Sequence, residues 1–232
     1  MIQKRLQTVL QQIRDLEVKY QRPSHSVSLL AVSKQHPVEA IREALQAGQR
    51  CFGENYAQEA VEKIDALKEV SIEWHFIGPI QSNKTKLIAE HFAWVHSIDR
   101  EKIARRLNEQ RSSKLPPLHA CVEVNISQET SKSGVMPEAV LSLAKNIALF
   151  PNLKLRGLMA IPEPSHDFES QRRPFRALAS LLQDLKREGL AVDTLSMGMS
   201  DDCEAAIAEG ATIVRIGTAI FGPRNPRGLI NP

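Results

Sequence analysis

The chain has 232 residues, of which 25% are charged and 42% hydrophobic, and its formal net charge is +3. Aromatic residues make up only 5%, and no basic stripe is interleaved with them, which argues against binding to nucleic acid. The three cysteines lie far apart, and no CxxC, HxH or HExxH spacing occurs. Neither a disulfide framework nor a metal site is therefore predicted.

The first residues of the chain contain no apolar core of the kind found in signal peptides. No apolar run approaches the roughly 18 residues that a membrane-spanning helix needs. These two features predict a cytoplasmic protein that has no membrane partner.

The chain opens with a helical pattern over residues 2–20, and eight short apolar runs follow it. These runs predict strands at residues 27–33, 50–54, 74–78, 94–98, 120–126, 155–161, 194–199 and 212–217. Helical patterns at residues 38–47, 56–67, 100–110, 138–149, 168–188 and 201–209 separate most of the strands. Pro37 and Pro137 mark helix starts, and Asp99 and Ser200 are predicted to cap the helices that follow them.

This alternation predicts a single (β/α)8 TIM-type barrel with an extra N-terminal helix, with residues 1–232 as one domain. Each helix returns the chain to the same end of the sheet, which makes the strands parallel. The nearly continuous apolar runs suit strands that are covered on both faces. A doubly wound open sheet is the alternative, but its dinucleotide-binding form needs a GxGxxG after the first strand, and none is present.

The ends of the predicted strands place candidate binding groups on one rim of the barrel, where the active sites of such barrels lie. Lys34 follows the first strand, and partial burial would lower its pKa and favour attack on a carbonyl. A solvated loop lysine is the alternative. Arg215 interrupts an apolar run, so it needs either a structural salt bridge or an acceptor atom of a ligand.

The last two strands end in groups that suit a phosphate. Ser200 offers a hydroxyl, while Gly217 and Thr218 offer backbone N–H groups, and barrel phosphate sites are often built from these two loops. Asp201 and Asp202 would repel a bound dianion, so we expect their carboxylates to point outward to solvent.

Six motifs in this order closely resemble the pyridoxal 5′-phosphate (PLP) homeostasis protein family, also called the YggS/PROSC group. They are AVSK (31–34), FGENY (52–56), WHFIGPIQSNK (74–84), LMA (158–160), SMGMSD (196–201) and RIGTAIFG (215–222). The resemblance implies a barrel like the N-terminal domain of alanine racemase, which is PLP fold type III.

The resemblance also implies roles for individual residues. Lys34 would hold PLP as a Schiff base, and Asn55 would line the cofactor. Arg215 would face the pyridine nitrogen, and the phosphate would lie on Ser200, Gly217 and Thr218. A secondary contact from Lys132 is a weaker expectation, and no catalytic residue is implied.

The implied function is intracellular vitamin B6 homeostasis and amino- and keto-acid balance rather than dedicated catalysis. PLP-dependent apo-enzymes are the candidate recipients of the cofactor, and a monomer is expected. About ten residues follow the Phe221-Gly222 loop, too few for the second domain with which alanine racemases complete their acid/base pair. A small PLP-dependent amino-acid racemase is the main alternative, and a barrel for another phosphorylated metabolite is the third.

Overall fold

The computed structural model describes residues 1–129 and 133–223, and it confirms the predicted barrel. Eight parallel strands follow each other around a closed ring in chain order, and the last pairs with the first. The strands are β1 (Ser28–Val32), β2 (Cys51–Glu54), β3 (Glu73–Phe76), β4 (Trp94–Ile98), β5 (Leu118–Glu123), β6 (Leu153–Met159), β7 (Thr194–Ser196) and β8 (Ile213–Ile216).

The helices surround this ring. The described residues form α1 (Ile2–Lys19), α2 (Val38–Gln46), α3 (Ala57–Ala66), α4 (Thr85–His91), α5 (Glu101–Gln110), α6 (Val140–Ala148), α7 (Phe168–Arg187), α8 (Cys203–Ala208) and α9 (Thr218–Phe221), with a 3-10 turn at Pro137–Ala139 before α6. The extra helix α1 packs on the outside of the barrel against α2, α8 and α9. None of the described helices combines the length and apolarity that crossing a bilayer requires.

Two short helices were not predicted. Helix α4 has only seven residues and α9 only four. Segments of this length span at most two turns, so their apolar periodicity is too brief to distinguish from a loop. The predicted strand ends differ from the observed ones by up to three residues, because the apolar runs continue past the hydrogen-bonded ladder.

Both predicted side-chain caps are wrong. Helix α5 begins at Glu101 after Arg100, and the carboxylate of Asp99 instead binds the Arg100 guanidinium at 2.7 and 2.8 Å. Helix α8 begins only at Cys203, so Ser200 lies in the turn that precedes it. In both cases the helix starts later than the apolar pattern suggested, and the cap position moves with it.

The apolar core has two parts, as a closed barrel requires. The larger part fills the layer between the strands and the surrounding helices. The smaller part lies inside the ring and consists of Leu30, Trp94, Cys121, Met159 and Ile213. Each strand therefore buries side chains on both faces, which explains why the sequence shows runs rather than alternation.

Candidate functional site

An open cavity of about 500 Å³ lies at the carboxyl ends of the strands, and it brings all six predicted binding residues together. This volume is within the range of roughly 300–1,000 Å³ that is usual for small-molecule sites. Its lining comprises Lys34, Asn55, Ser200, Arg215, Gly217 and Thr218, with Val32, His36, Ile77, Ile161, Met199, Asp201 and Ala219. A primary amine, a guanidinium and several anion-binding groups therefore face one volume.

Lys34 is placed by a tight turn immediately after β1. The next residue, Gln35, has a positive φ of 61°, and its backbone N–H donates to the Glu59 carboxylate at 2.7 Å. A left-handed backbone conformation is energetically unfavourable for a residue with a side chain, and the hydrogen bond to Glu59 in α3 compensates that cost. The turn thus presents the half-buried Lys34 to the cavity.

A buried ionic network supports the same strand end. The Lys63 ammonium lies within hydrogen-bond distance of the Ser33 carbonyl oxygen, 2.9 Å, the Glu54 carboxylate, 2.8 Å, and the Glu59 carboxylate, 2.6 Å. The Ser33 hydroxyl also donates to Glu54 at 2.6 Å. Burial raises the pKa of Glu54, and the Lys63 charge opposes that shift. The network was not predicted, because the i, i+4 spacing of Glu59 and Lys63 suggests an exposed pair.

Asn55 contributes a buried polar atom that points to a ligand. Its side-chain oxygen is buried and has no hydrogen-bond partner among the described residues. A buried unsatisfied acceptor costs stability unless a ligand or water satisfies it. Gly78 makes this position possible, since a Cβ there would lie 2.3 Å from the Asn55 carbonyl oxygen.

Arg215 is 4% exposed and is held by neighbouring strand ends. Its guanidinium donates to the Ser196 carbonyl and hydroxyl oxygens, at 2.5 and 2.8 Å, and to the Ala160 carbonyl oxygen at 3.0 Å. It forms no ion pair with any described residue, so the salt-bridge alternative is not supported. Burial lowers the pKa of Arg215 to about 10, which still leaves the group charged at neutral pH.

The loops after β7 and β8, which carry the three residues predicted to bind phosphate, line one side of the cavity. Ser200 and Thr218 are exposed at the rim, and the first N–H groups of α9 lack partners within that helix. Gly217 packs closely against the end of β1, since a Cβ there would lie 3.0 Å from the Val32 carbonyl oxygen.

The two aspartates behave differently from the prediction. The half-buried Asp202 turns its carboxylate toward the loop, where it accepts from the Met199 N–H at 2.5 Å. Asp201 is exposed but lines the cavity. The outward orientation expected for both is therefore wrong for Asp202, because an unpaired backbone N–H lies within its reach.

Two further residues near the site were not predicted. His36 lines the cavity, and its ring stacks on Phe221 with a centroid distance of 5.0 Å. Glu123 ends β5 inside the barrel, where burial raises its pKa to about 7 and the Arg215 charge opposes the shift. No motif in the sequence points to either residue. Lys132 lies outside the described residues.

Comparisons with known proteins match both the fold and this arrangement of motifs. The family described as alanine racemase, N-terminal domain, matches residues 5–225. A pyridoxal phosphate homeostasis protein of Vibrio cholerae is 56% identical over 228 residues, which is 97% of either chain. A protein of the same name from Pseudomonas aeruginosa is 58% identical over 217 residues, covering 94% of this chain and 93% of the other.

Comparison with solved structures gives the same fold. PipY of Synechococcus elongatus, described with PLP bound, has a TM-score of 0.84 and 34% identity, over 96% of this chain and 100% of that chain. An alanine racemase of Clostridium difficile shares the fold with a TM-score of 0.72 at 14% identity, and this chain covers 59% of it. The chain therefore belongs to the pyridoxal phosphate homeostasis protein family, whose barrel is that of the alanine racemase N-terminal domain.

Proposed function

We propose that this chain binds PLP in the cavity at the carboxyl ends of its strands and acts in intracellular PLP homeostasis. The observation that carries the proposal is the convergence of Lys34, Asn55, Ser200, Arg215 and the Gly217–Thr218 loop on one volume of about 500 Å³. Relatives named for PLP homeostasis and a PLP-bound structural neighbour support the choice of cofactor.

In this proposal each group meets the part of PLP that its chemistry suits. Lys34 would hold the aldehyde carbon of PLP through its primary amine, as a Schiff base formed with loss of one water. Ser200 and the N–H groups of Gly217 and Thr218 hold the phosphate dianion. The buried side-chain oxygen of Asn55, which has no partner among the described residues, would accept a hydrogen bond from a donor at the site.

Arg215 sets the electronic state of the bound ring. A guanidinium can only donate, so Arg215 would donate a hydrogen bond to a pyridine nitrogen that faced it and would keep that nitrogen unprotonated. Bound PLP supplies an electron sink for amino-acid chemistry, and that sink is weaker when its ring nitrogen carries no proton. Arg215 thus favours binding of the cofactor over catalysis with it.

The surroundings of the cavity favour the same role. Neither tyrosine of the chain is among the described residues that line the cavity: Tyr56 is 52% exposed, and the Tyr20 hydroxyl lies 2.8 Å from Glu204. Met199 and Ile161 at the rim are 37% and 41% exposed, so solvent reaches the site. An open site favours exchange of the cofactor over stereospecific proton transfer. We infer a carrier or regulator, monomeric and cytoplasmic, that passes PLP to apo-enzymes.

The absorbance spectrum of the chain mixed with PLP tests cofactor binding. We expect a visible band that borohydride reduces and fixes to the polypeptide, and its loss in Lys34→Ala. Lys154→Ala is the matched control, since Lys154 is an exposed lysine near the opposite end of the barrel. An unchanged band in Lys34→Ala would rule out covalent binding at this residue.

Incubation with L-amino acids separates the carrier from the racemase alternative. The PLP-loaded chain should produce neither D-isomers nor keto acids at a rate above that of free PLP. Robust turnover by the wild type that is lost in Lys34→Ala would establish an enzyme and contradict the carrier role.

A further inference from the structure

A second cavity, of about 310 Å³, lies at the opposite end of the barrel, at the amino ends of the strands. Its lining includes Cys51, Glu73 and His75, which begin or lie near the start of β2 and β3. Lys34 and the other residues of the PLP cavity lie at the carboxyl ends, so the barrel interior separates the two. Nothing in the proposed PLP function uses this second cavity.

Strand register creates a cluster of three different donor atoms there. Cys51 pairs directly with Glu73 across β2 and β3, and Gly53 pairs with His75 two positions further along. Alternate residues of a strand point to the same face, so Glu73 and His75 share one side. The thiol sulfur, a carboxylate oxygen and the imidazole Nε2 all lie within 4.8 Å of one another.

The separations between the donor atoms are close to those of a tetrahedral transition-metal site. Metal–ligand bonds of about 2.0–2.3 Å give edges of roughly 3.3–3.6 Å between ligand atoms. The Cys51 sulfur lies 3.6 Å from the Glu73 oxygen, which matches such an edge, while that oxygen lies 3.0 Å from the His75 Nε2, a hydrogen-bond distance slightly shorter than one. The remaining edge, between the Cys51 sulfur and the His75 ring, is at most 4.8 Å, and a bound cation would draw these two groups closer together.

The orientation of the His75 ring is fixed by its surroundings, as it is for histidines that bind metals. Its Nδ1 lies 2.8 Å from Nε2 of His96, and Nδ1 of His96 lies 2.7 Å from the Ser196 hydroxyl. The ring also stacks on Trp94 at 5.3 Å with an interplanar angle of 4°. In the tautomer in which Nδ1 carries the proton and donates to His96, Nε2 faces Glu73 with a lone pair that a cation can bind.

One positive charge lies nearby, but a carboxylate already compensates it. The Arg156 guanidinium lies over the Trp94 ring, 4.8 Å from its centroid, and pairs with both oxygens of Asp193 at 2.9 and 2.8 Å. The Arg156 charge is therefore paired with a carboxylate in the lining of the cavity. Glu73, by contrast, keeps its carboxylate at the cavity, with 47% of its side chain exposed.

We propose that Cys51, Glu73 and His75 form a binding site for a zinc-type divalent transition metal at the amino end of the barrel. The mixed sulfur, nitrogen and oxygen donors select such a cation over Mg²⁺ or Ca²⁺, which prefer oxygen ligands alone. Three protein ligands leave a fourth position that faces the cavity, where a water or small anion completes the coordination. The sequence lacks a metal-binding spacing because the ligands meet only through the pairing of two strands.

Cobalt titration of the full-length chain, reduced and free of metal, tests this site. Co²⁺ replaces Zn²⁺ in such sites and gives a thiolate-to-cobalt absorption band in the near ultraviolet when cysteine is a ligand. We expect the wild type to bind one Co²⁺ with this band and Zn²⁺ to displace it. Cys51→Ser should abolish the band, and Glu73→Gln should weaken binding by about tenfold or more.

Two controls make the outcome decisive. Cys203→Ser removes a half-buried thiol elsewhere and should leave the band unchanged. Lys34→Ala should also retain it, which separates this site from PLP binding. Each variant is compared by circular dichroism to establish that it is folded. No thiolate band in the folded wild type, or a band that survives Cys51→Ser, would overturn the proposal.

Discussion

The ammonium group of Lys63 lies 2.8 Å from the carboxylate of Glu54, and both residues are almost completely buried. Removing one partner of a buried ion pair leaves an uncompensated charge and costs about 3–5 kcal/mol. We therefore expect Lys63→Met to lower the free energy of unfolding by that amount, measured by urea denaturation.

Two further variants test whether the lost charge is the cause of the lower free energy of unfolding. The double variant Lys63→Met/Glu54→Gln should regain part of the stability, because no buried charge is then left unpaired. Lys102→Met, on the exposed face of α5, should change the unfolding free energy by less than about 0.5 kcal/mol. A double variant no more stable than Lys63→Met alone would contradict this account.

Substitution of Arg215 should change the spectrum of bound PLP. Arg215→Glu offers a carboxylate to the pyridine nitrogen and allows it to take a proton, so the visible band and its pH dependence should shift. Arg215→Lys keeps a cationic donor but loses most hydrogen bonds to Ser196 and Ala160, which separates charge from packing. An unchanged spectrum in folded, PLP-loaded Arg215→Glu would show that this residue does not contact the ring.

Ser200→Ala should weaken PLP binding while leaving the fold intact, because the side chain is exposed at the rim. A hydrogen bond to a charged group contributes about 1.5–3 kcal/mol, which corresponds to roughly ten- to a hundredfold in the dissociation constant. Ser24→Ala, an exposed serine that is absent from the cavity lining, should bind PLP as the wild type does. Equal affinity for Ser200→Ala and wild type, measured by spectral titration, would exclude Ser200 from the phosphate site.

Glu123 should make stability depend on pH near neutrality. Burial raises its pKa in the folded state from the usual value of 4.5 to about 7, so between these values the folded protein keeps a proton that the unfolded chain has lost. The free energy of unfolding therefore falls as the pH rises from about 4.5 to 7, by at most about 3 kcal/mol. Glu123→Gln removes this dependence, and we expect it to be more stable than wild type at pH 8 and similar at pH 4.5.

The difference in unfolding free energy between Glu123→Gln and wild type separates the effect of Glu123 from that of other carboxyl groups whose pKa is raised, such as Glu54 and Asp202. Thermal unfolding at the two pH values measures it, with Glu109→Gln as an exposed control. A constant difference between Glu123→Gln and wild type across this range would mean that Glu123 does not titrate there.

The amino-acid sequence determined the barrel and the rim on which its binding groups lie. Eight apolar runs separated by helices permit few arrangements, because parallel strands need crossovers and a closed ring has no exposed edge. Residues that lie shortly after strands, such as Lys34 and Ser200, could therefore be predicted to line this rim, since the carboxyl ends of all strands meet there.

Only the tertiary structure decided which side chains meet inside the barrel. Lys63 reaches Ser33 and Glu54 from a helix whose spacing suggests an exposed residue. His96 meets Ser196 across 100 positions of the chain, and Cys51 meets Glu73 through strand register. Such contacts depend on the register and closure of the sheet, which are set by the packing of all strands together and leave no local pattern in the sequence.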